Sequence, residues 1–178
     1  MCLIFLYRMI LNKMNDIEDV LVREATVSDY DDFIKVFSEV EELHRKNLPW
    51  KFKKADIIFS KSDYEVEIED PSKKIYLAYI WQKVVWLLTA YIKNHRDIPL
   101  LQPRTYVDVD TICVVDGYRK QWIGKMLLTE AENWAKDNNI SDIQLNVREF
   151  NKNAKSFYLN RWFEPISSIM RKTLAARR

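Results

Sequence analysis

Between Thr105 and Asp137 the apolar pattern changes from strict alternation to helical spacing, and that change constrains the fold more than any other feature of the chain. The run TYVDVDTICVV is alternating and rich in β-branched residues. It predicts a strand with Tyr106, Asp108 and Asp110 on one face and Val107 and Val109 on the other. A short link, DGYRK, follows. Ile123, Met126, Leu127, Ala131 and Trp134 then fall on one side of a helix, with Glu130, Glu132 and Lys136 elsewhere. A strand that feeds straight into an amphipathic helix must lay that helix on its own sheet, which makes this an α/β chain.

The remaining segments extend the pattern. VLVREAT, beginning at Val20, predicts a strand. A helix follows, capped by Ser28 or Asp29 and lined by Phe33, Val36, Phe37, Val40 and Leu43, and Pro49 ends it. Residues 55–69 predict a second, shorter helix. KIYLAYI and VVWLLTAYIK predict a hairpin across WQK, and NHRDIPLLQPR a longer connection. Beyond the central helix come a strand in DIQLNVRE, a helix in NKNAKSFYLNR and a last strand with a Pro bend in FEPISSIMRKTL. The predicted order is β-α-α-β-β-β-α-β-α-β, a mixed central sheet flanked by helices. At 178 residues the chain suits one domain, expected over 18–178. Residues 1–17 are expected to be a disordered or mis-assigned extension, with Met14 as the natural start. Their apolar part is interrupted by Arg8 and is too short to span a bilayer.

Net charge is only +2 and the basic residues are dispersed, which disfavours a nucleic-acid or anionic-membrane partner. Cys2 and Cys113 are far apart, and with His44 and His95 they make no metal-ligand spacing, so a reducing cytoplasm without a zinc site is expected. Cys113 reads as a small buried hydrophobe, His44 as a residue on the exposed side of its helix, and His95 as part of a polar loop.

The junction VVDGYRKQWIGK carries the chemistry. The first turn of a helix offers amides without intrahelical partners, and the macrodipole adds positive potential there. A diphosphate can accept several of those N–H groups if no side chain intervenes, and Arg119, Lys120 and Lys125 add positive charge around it. At this point the chain resembles the GNAT superfamily of acyl-CoA-dependent N-acetyltransferases. That family carries Arg/Gln-x-x-Gly-x-Gly/Ala between a strand and a long helix, and here the segment reads Arg119-Lys120-Gln121-Trp122-Ile123-Gly124. Downstream, Asn151, Ala154, Phe157, Tyr158 and Phe163 match the family's Asn-x-x-Ala-x-x-Phe/Leu-Tyr segment and the Phe of its following Gly-Phe, with Trp162 in the Gly place. The element order is shared from about Val20 to Leu174.

The resemblance implies transfer of an acetyl group from acetyl-CoA, as acyl donor, to an amine of a small molecule or peptide. Amides of Gln121, Trp122, Ile123, Gly124 and Lys125 would hold the pyrophosphate, flanked by Arg119 and Lys120. The backbone of Ile112, Cys113 and Val114 would pair with the pantetheine arm, Asn151 would contact the cofactor, and Tyr158 would protonate the departing thiolate. An ammonium must lose a proton before it attacks a thioester, and Asp108 or Asp110 could accept it directly or through water. Each of these side chains also has a plainer role open to it: Tyr158 could pack at helical spacing, and the two aspartates could face solvent. The alternative function is a catalytically inactive binding or regulatory module of the same fold, for which Trp122 is the argument. Acceptor-shaping segments in the family correspond to residues 43–60 and 93–104, which carry no readable substrate code. A homodimer is compatible with an exposed sheet edge.

Glycine is scarce: the chain has 2, where average usage of about 7% would give roughly 12. Tryptophan, at 6, is plentiful. Trp122, Trp162 and Trp86 stand where the family commonly has Gly, and Trp81 sits in a tight turn that would suit Gly. The two anomalies are expected to be one if UGA codons read as glycine by the cell have been translated as tryptophan. Trp134 fits its helix.

Overall fold

The computed structural model describes residues 20–95, 99–115, 117–118 and 121–174. The expectations for residues 1–17 and Met14, and those for the side chains of Arg119 and Lys120, lie outside the described residues. Two compact units divide the chain between Asn146 and Val147.

The first unit is a five-stranded sheet in the order β1-β2-β3-β4-β5. Its strands are β1 (Val20–Glu24), β2 (Lys73–Ile80), β3 (Lys83–His95), β4 (Arg104–Val114) and β5 (Ile143–Leu145). Neighbours pair antiparallel except β4 with β5, which pair in parallel. Between β1 and β2 the chain forms α1 (Tyr30–Asn47) and α2 (Lys61–Glu69), and between β4 and β5 it forms α3 (Gln121–Asp137).

The helices cover opposite faces of the sheet. On one face Ile123, Leu127, Ala131 and Trp134 of α3 pack on Tyr76, Ala78, Leu88, Val107 and Val109. On the other, Phe33 and Val36 of α1 and Tyr64 of α2 pack on Ile75, Leu77, Leu87 and Cys113. With both faces covered, β2 from Ile75 to Ile80 and β3 from Val84 to Ala90 are buried without a break, which explains why KIYLAYI and VVWLLTA read as continuous apolar runs. Each large apolar side chain fully buried here contributes about 1.5–3 kcal/mol. No helix among the described residues is long and apolar enough to cross a membrane.

Several expectations shift in detail. The second helix begins at Lys61, where the Ser60 hydroxyl accepts the Asp63 N–H at 3.1 Å. His95 is the last residue of β3 rather than part of a loop. It pairs with Arg104, and its ring meets Tyr106 edge-on at 5.4 Å. His44 is half-buried and stacks on Phe52 at 5.1 Å.

The second unit contains α4 (Lys152–Leu159). The strand expected in FEPISSIMRKTL is not formed: residues 163–174 have no ladder partner, and Ile166, Ile169, Met170 and Leu174 are exposed. Pro165 lacks the N–H a ladder needs, and the apolar residues bury nothing that would offset the entropy of ordering a strand.

The turn into α1 is held by charge. Asp29 is buried, and its carboxylate accepts two hydrogen bonds from Arg23, at 2.6 and 2.8 Å. It also accepts the Thr26 N–H at 2.8 Å and the Tyr79 hydroxyl at 3.2 Å. The Arg23 guanidinium, with the Thr26 donors, holds the Asp29 carboxyl well below the usual carboxylate range. A depressed native pKa stabilises the fold above the ordinary carboxylate pKa, and that stability fades as pH falls toward the native value. Asp29→Asn should therefore lower unfolding free energy at neutral pH by about 2–3 kcal/mol. It should also flatten the acid limb of a stability-against-pH curve from chemical denaturation.

Candidate functional site

The site is built where β4 keeps one neighbour and loses the other. Toward β3 it pairs along its whole length, from His95↔Arg104 to Trp86↔Val114. Toward β5 the pairing covers only Val107↔Ile143, Asp108↔Gln144 and Val109↔Leu145. Beyond Val109 the far edge of β4 has no ladder partner among the described residues. Ile112, Cys113 and Val114 lie on that stretch.

A bulge marks the same point. Thr89 pairs with Thr111 and Ala90 with Val109, leaving Asp110 as the extra residue. The alternation changes parity there. Val107 and Val109 face α3, and so do Ile112 and Val114, while Cys113 turns toward α1. Asp110 therefore does not simply continue the face of Tyr106 and Asp108, as strict alternation predicts. It is exposed, and the Thr111 hydroxyl donates to its carboxylate at 3.1 Å. Cys113 is buried as expected, with its Sγ 3.5 Å from the Val36 carbonyl.

Asp108 is half-buried and sits in register with Tyr91 on β3. Burial raises its carboxyl above the ordinary value; Lys93 opposes that rise and the nearby Asp110 adds to it. Tyr91 and Lys93 are the residues that sequence reasoning missed. They reach Asp108 through the β3–β4 register, and no local pattern in VVWLLTAYIK marks them.

After β4 the chain turns back sharply. The Val115 N–H donates to the Val85 carbonyl at 2.9 Å, and the Tyr118 N–H closes a turn onto the Val115 carbonyl at 3.1 Å. Gly117 stands in that turn at φ +89°, a conformation only glycine adopts cheaply. Helix α3 starts at Gln121, so the amides of Gln121, Trp122, Ile123 and Gly124 make its first turn. Ile123 and Gly124 are buried beneath that turn and Lys125 is exposed. Trp122 is half-buried and packs against the cluster under α3. Side chains of a helix lean toward its N-terminus, so the indole leaves Cα toward the start of α3.

Asn151 and Tyr158 belong to the second unit. Asn151 caps α4, its Oδ1 accepting the Ala154 N–H at 3.2 Å, which leaves its Nδ2 hydrogens for another partner. Tyr158 lies between Phe157 and Phe163, with ring centroids 5.4 and 5.7 Å away. Burial pushes its hydroxyl up to about 12, so it is protonated at neutral pH.

The chain and its fold have counterparts among known proteins. The model of the acetyltransferase (GNAT) family matches residues 37–162. The chain belongs to that family. No curated protein matches it at the sequence level. Among solved structures, a tetramutant of the BH1408 protein from Bacillus halodurans is 22% identical with a TM-score of 0.80, the match covering 86% of this chain and 99% of that one. The aminoglycoside 6'-N-acetyltransferase AAC(6')-Ih from Acinetobacter baumannii is 16% identical with a TM-score of 0.65, covering 89% and 99%. The aminoglycoside acetyltransferase meta-AAC0020 from an uncultured soil metagenomic sample is 14% identical with a TM-score of 0.67, covering 90% and 98%. At these identities the likeness is one of fold.

The cap on α4 can be checked alone. Asn151→Ala should cost about 1 kcal/mol. Hydrogen exchange should show the loss as faster exchange at Ala154 and its neighbours, with the amides of β3 unaffected.

Proposed function

We propose that the protein transfers an acetyl group from acetyl-CoA to a primary amine of a small molecule or peptide. The observation that carries this reading is that one unit presents, in succession, the edge of β4 that has no ladder partner among the described residues and the first turn of α3. An extended amide-bearing arm fits the first, and a diphosphate fits the second. The backbone of Ile112, Cys113 and Val114 holds the arm. The amides of Gln121 to Lys125 hold the diphosphate; Arg119 and Lys120, which precede them in the sequence, add positive charge, and the family resemblance gives Asn151 a contact with the cofactor.

The transfer asks for one base and one acid. An alkylammonium gives up a proton, its nitrogen forms a bond to the thioester carbonyl carbon, and the carbon–sulfur bond breaks with its electron pair leaving on sulfur. That thiolate then takes a proton. Asp108 suits the first role better than Asp110, because burial makes its carboxylate the stronger base. Tyr158 suits the second, because burial keeps its hydroxyl protonated until a thiolate forms nearby. The amine acceptor is supported by the structural neighbours named as aminoglycoside acetyltransferases.

Acetyl-CoA at about 100 times its dissociation constant should stabilise the protein by about 2.7 kcal/mol, read as a rise in Tm. A panel of primary amines should then release free thiol. Tyr158→Phe should reduce kcat by roughly 100-fold or more while the acetyl-CoA dissociation constant holds. Activity should rise with pH as Asp108 ionises, along a limb displaced upward from the ordinary carboxylate range, and Asp108→Asn should abolish that limb. Absence of acetyl-CoA binding by both the folded protein and its folded Trp122→Gly variant would leave the inactive binding module in its place.

A further inference from the structure

Among the described residues, positive φ occurs at Gly117 and at four residues that are not glycine: Trp81 (51°), Gln82 (67°), Asn139 (56°) and Trp162 (65°). Asparagine is a natural occupant of this region; tryptophan, with its bulky Cβ substituent, is not.

Asn139 and Trp162 occupy the same position in the same motif. At the end of α3 the Asn139 N–H donates to Lys136 and the Ile140 N–H to Ala135, at 2.9 and 2.8 Å. At the end of α4 the Trp162 N–H donates to Leu159 and the Phe163 N–H to Tyr158, at 3.2 and 3.1 Å. Both are Schellman endings, with the left-handed residue where glycine is the usual choice. The apolar contact that accompanies the motif is present in each: Ile140 and Ala135 share one cluster, and Phe163 meets Tyr158. Only the indole is out of place. Trp162 is 93% exposed, so its side chain returns nothing for the strained backbone.

Trp81 repeats the case. It and Gln82 are the two residues between Ile80 and Lys83, which pair to close the β2–β3 hairpin. Positive φ at both positions is the type I′ arrangement, whose usual residues are Asn and Gly. Trp81 is 69% exposed. Trp134 differs: it is buried, lies in regular helix, and fills the core. Trp86 is also buried in an ordinary strand, with its indole N–H on the Tyr118 carbonyl at 3.2 Å, so conformation makes no case for glycine there.

We infer that positions 81, 122 and 162 hold glycine in the protein the cell makes, encoded by UGA, so that the first turn of α3 is bare backbone. The backbone conformation carries the inference at 81 and 162. At 122 it rests on the reading of α3 as the diphosphate site, where a side chain on the second residue of the helix crowds the approaching anion.

The codons and the native protein test this without any cofactor. The gene should carry UGA at 81, 122 and 162 and UGG at 134, and peptides from the protein isolated from its own cells should have glycine masses at those three positions. UGG at 81 and 162, or tryptophan in either native peptide, overturns the inference; UGG at 122 alone overturns the part that concerns the diphosphate site. In the chain as written, Trp81→Gly and Trp162→Gly should each raise Tm by roughly 2 °C, relief of left-handed strain outweighing the added freedom of the unfolded chain. Trp134→Gly should lower it sharply. A fall at 81 and 162 comparable to that at 134 would count against the proposal. Trp122→Gly should tighten acetyl-CoA binding at least 10-fold, and a folded variant that binds no better than the parent overturns the part that concerns the diphosphate site.

Discussion

The ladder between β3 and β4 is the longest among the described residues, ten pairs against eight for β2 with β3 and three for β4 with β5. That imbalance governs the site. Because β3 holds β4 along its full length, β4 can lose its other neighbour after Val109 without losing its own shape. A bared strand edge is ordinarily a hazard, since its unpaired amides and carbonyls invite another strand. Here the bulge at Asp110 bends the strand where the edge opens, and the exposed stretch ends within a few residues in the turn at Gly117. The edge is too short to become a sticky one.

Burial acts on the two titrating candidates in the same direction, and the consequences are complementary. Desolvation disfavours the charged form of any acid, so it raises both Asp108 and Tyr158. For a carboxylate meant to take a proton from an ammonium, that rise makes a stronger base, up to the point where it no longer ionises at working pH. Lys93 opposes the rise at Asp108. For a phenol meant to donate, the rise guarantees that the proton is present. The cost is a weaker acid.

Much of this could be read from sequence because it depends on local period. The covered strands, the face of α3 and the change of period at residue 121 are all consequences of which neighbours along the chain are apolar; the motif residues Tyr158 and Asn151 stood out only through their resemblance to the family's segment. What could not be read depends on register. The bulge at Asp110 is a two-against-one match with β3, invisible in TYVDVDTICVV, and it alone decides that Asp108 and Asp110 part company. Tyr91 and Lys93 join Asp108 by the same register. FEPISSIMRKTL failed in the opposite sense: its apolar spacing suits a strand, but a strand also needs a partner, and composition does not report whether one exists.

The positive-φ positions show how a backbone can report on a residue it does not contain. A two-residue hairpin between paired Ile80 and Lys83 must turn with the right-handed twist of its strands, and the Schellman bonds after Leu159 require one left-handed residue whatever its side chain. Those demands come from hydrogen bonds spread over several residues, whereas the penalty of a misplaced Cβ is about 1–2 kcal/mol at one residue. The collective term wins, so the chain keeps the glycine conformation with tryptophan in it. Exposure then separates a tolerated residue from a selected one. Asn139 ends its helix with a side chain that accepts the left-handed region, while Trp81 and Trp162 place large apolar rings in water at positions where a hydrogen atom would serve better. In a chain with only 2 glycines, that combination of glycine backbone and idle indole points to the reading of the codon rather than to the evolution of the fold.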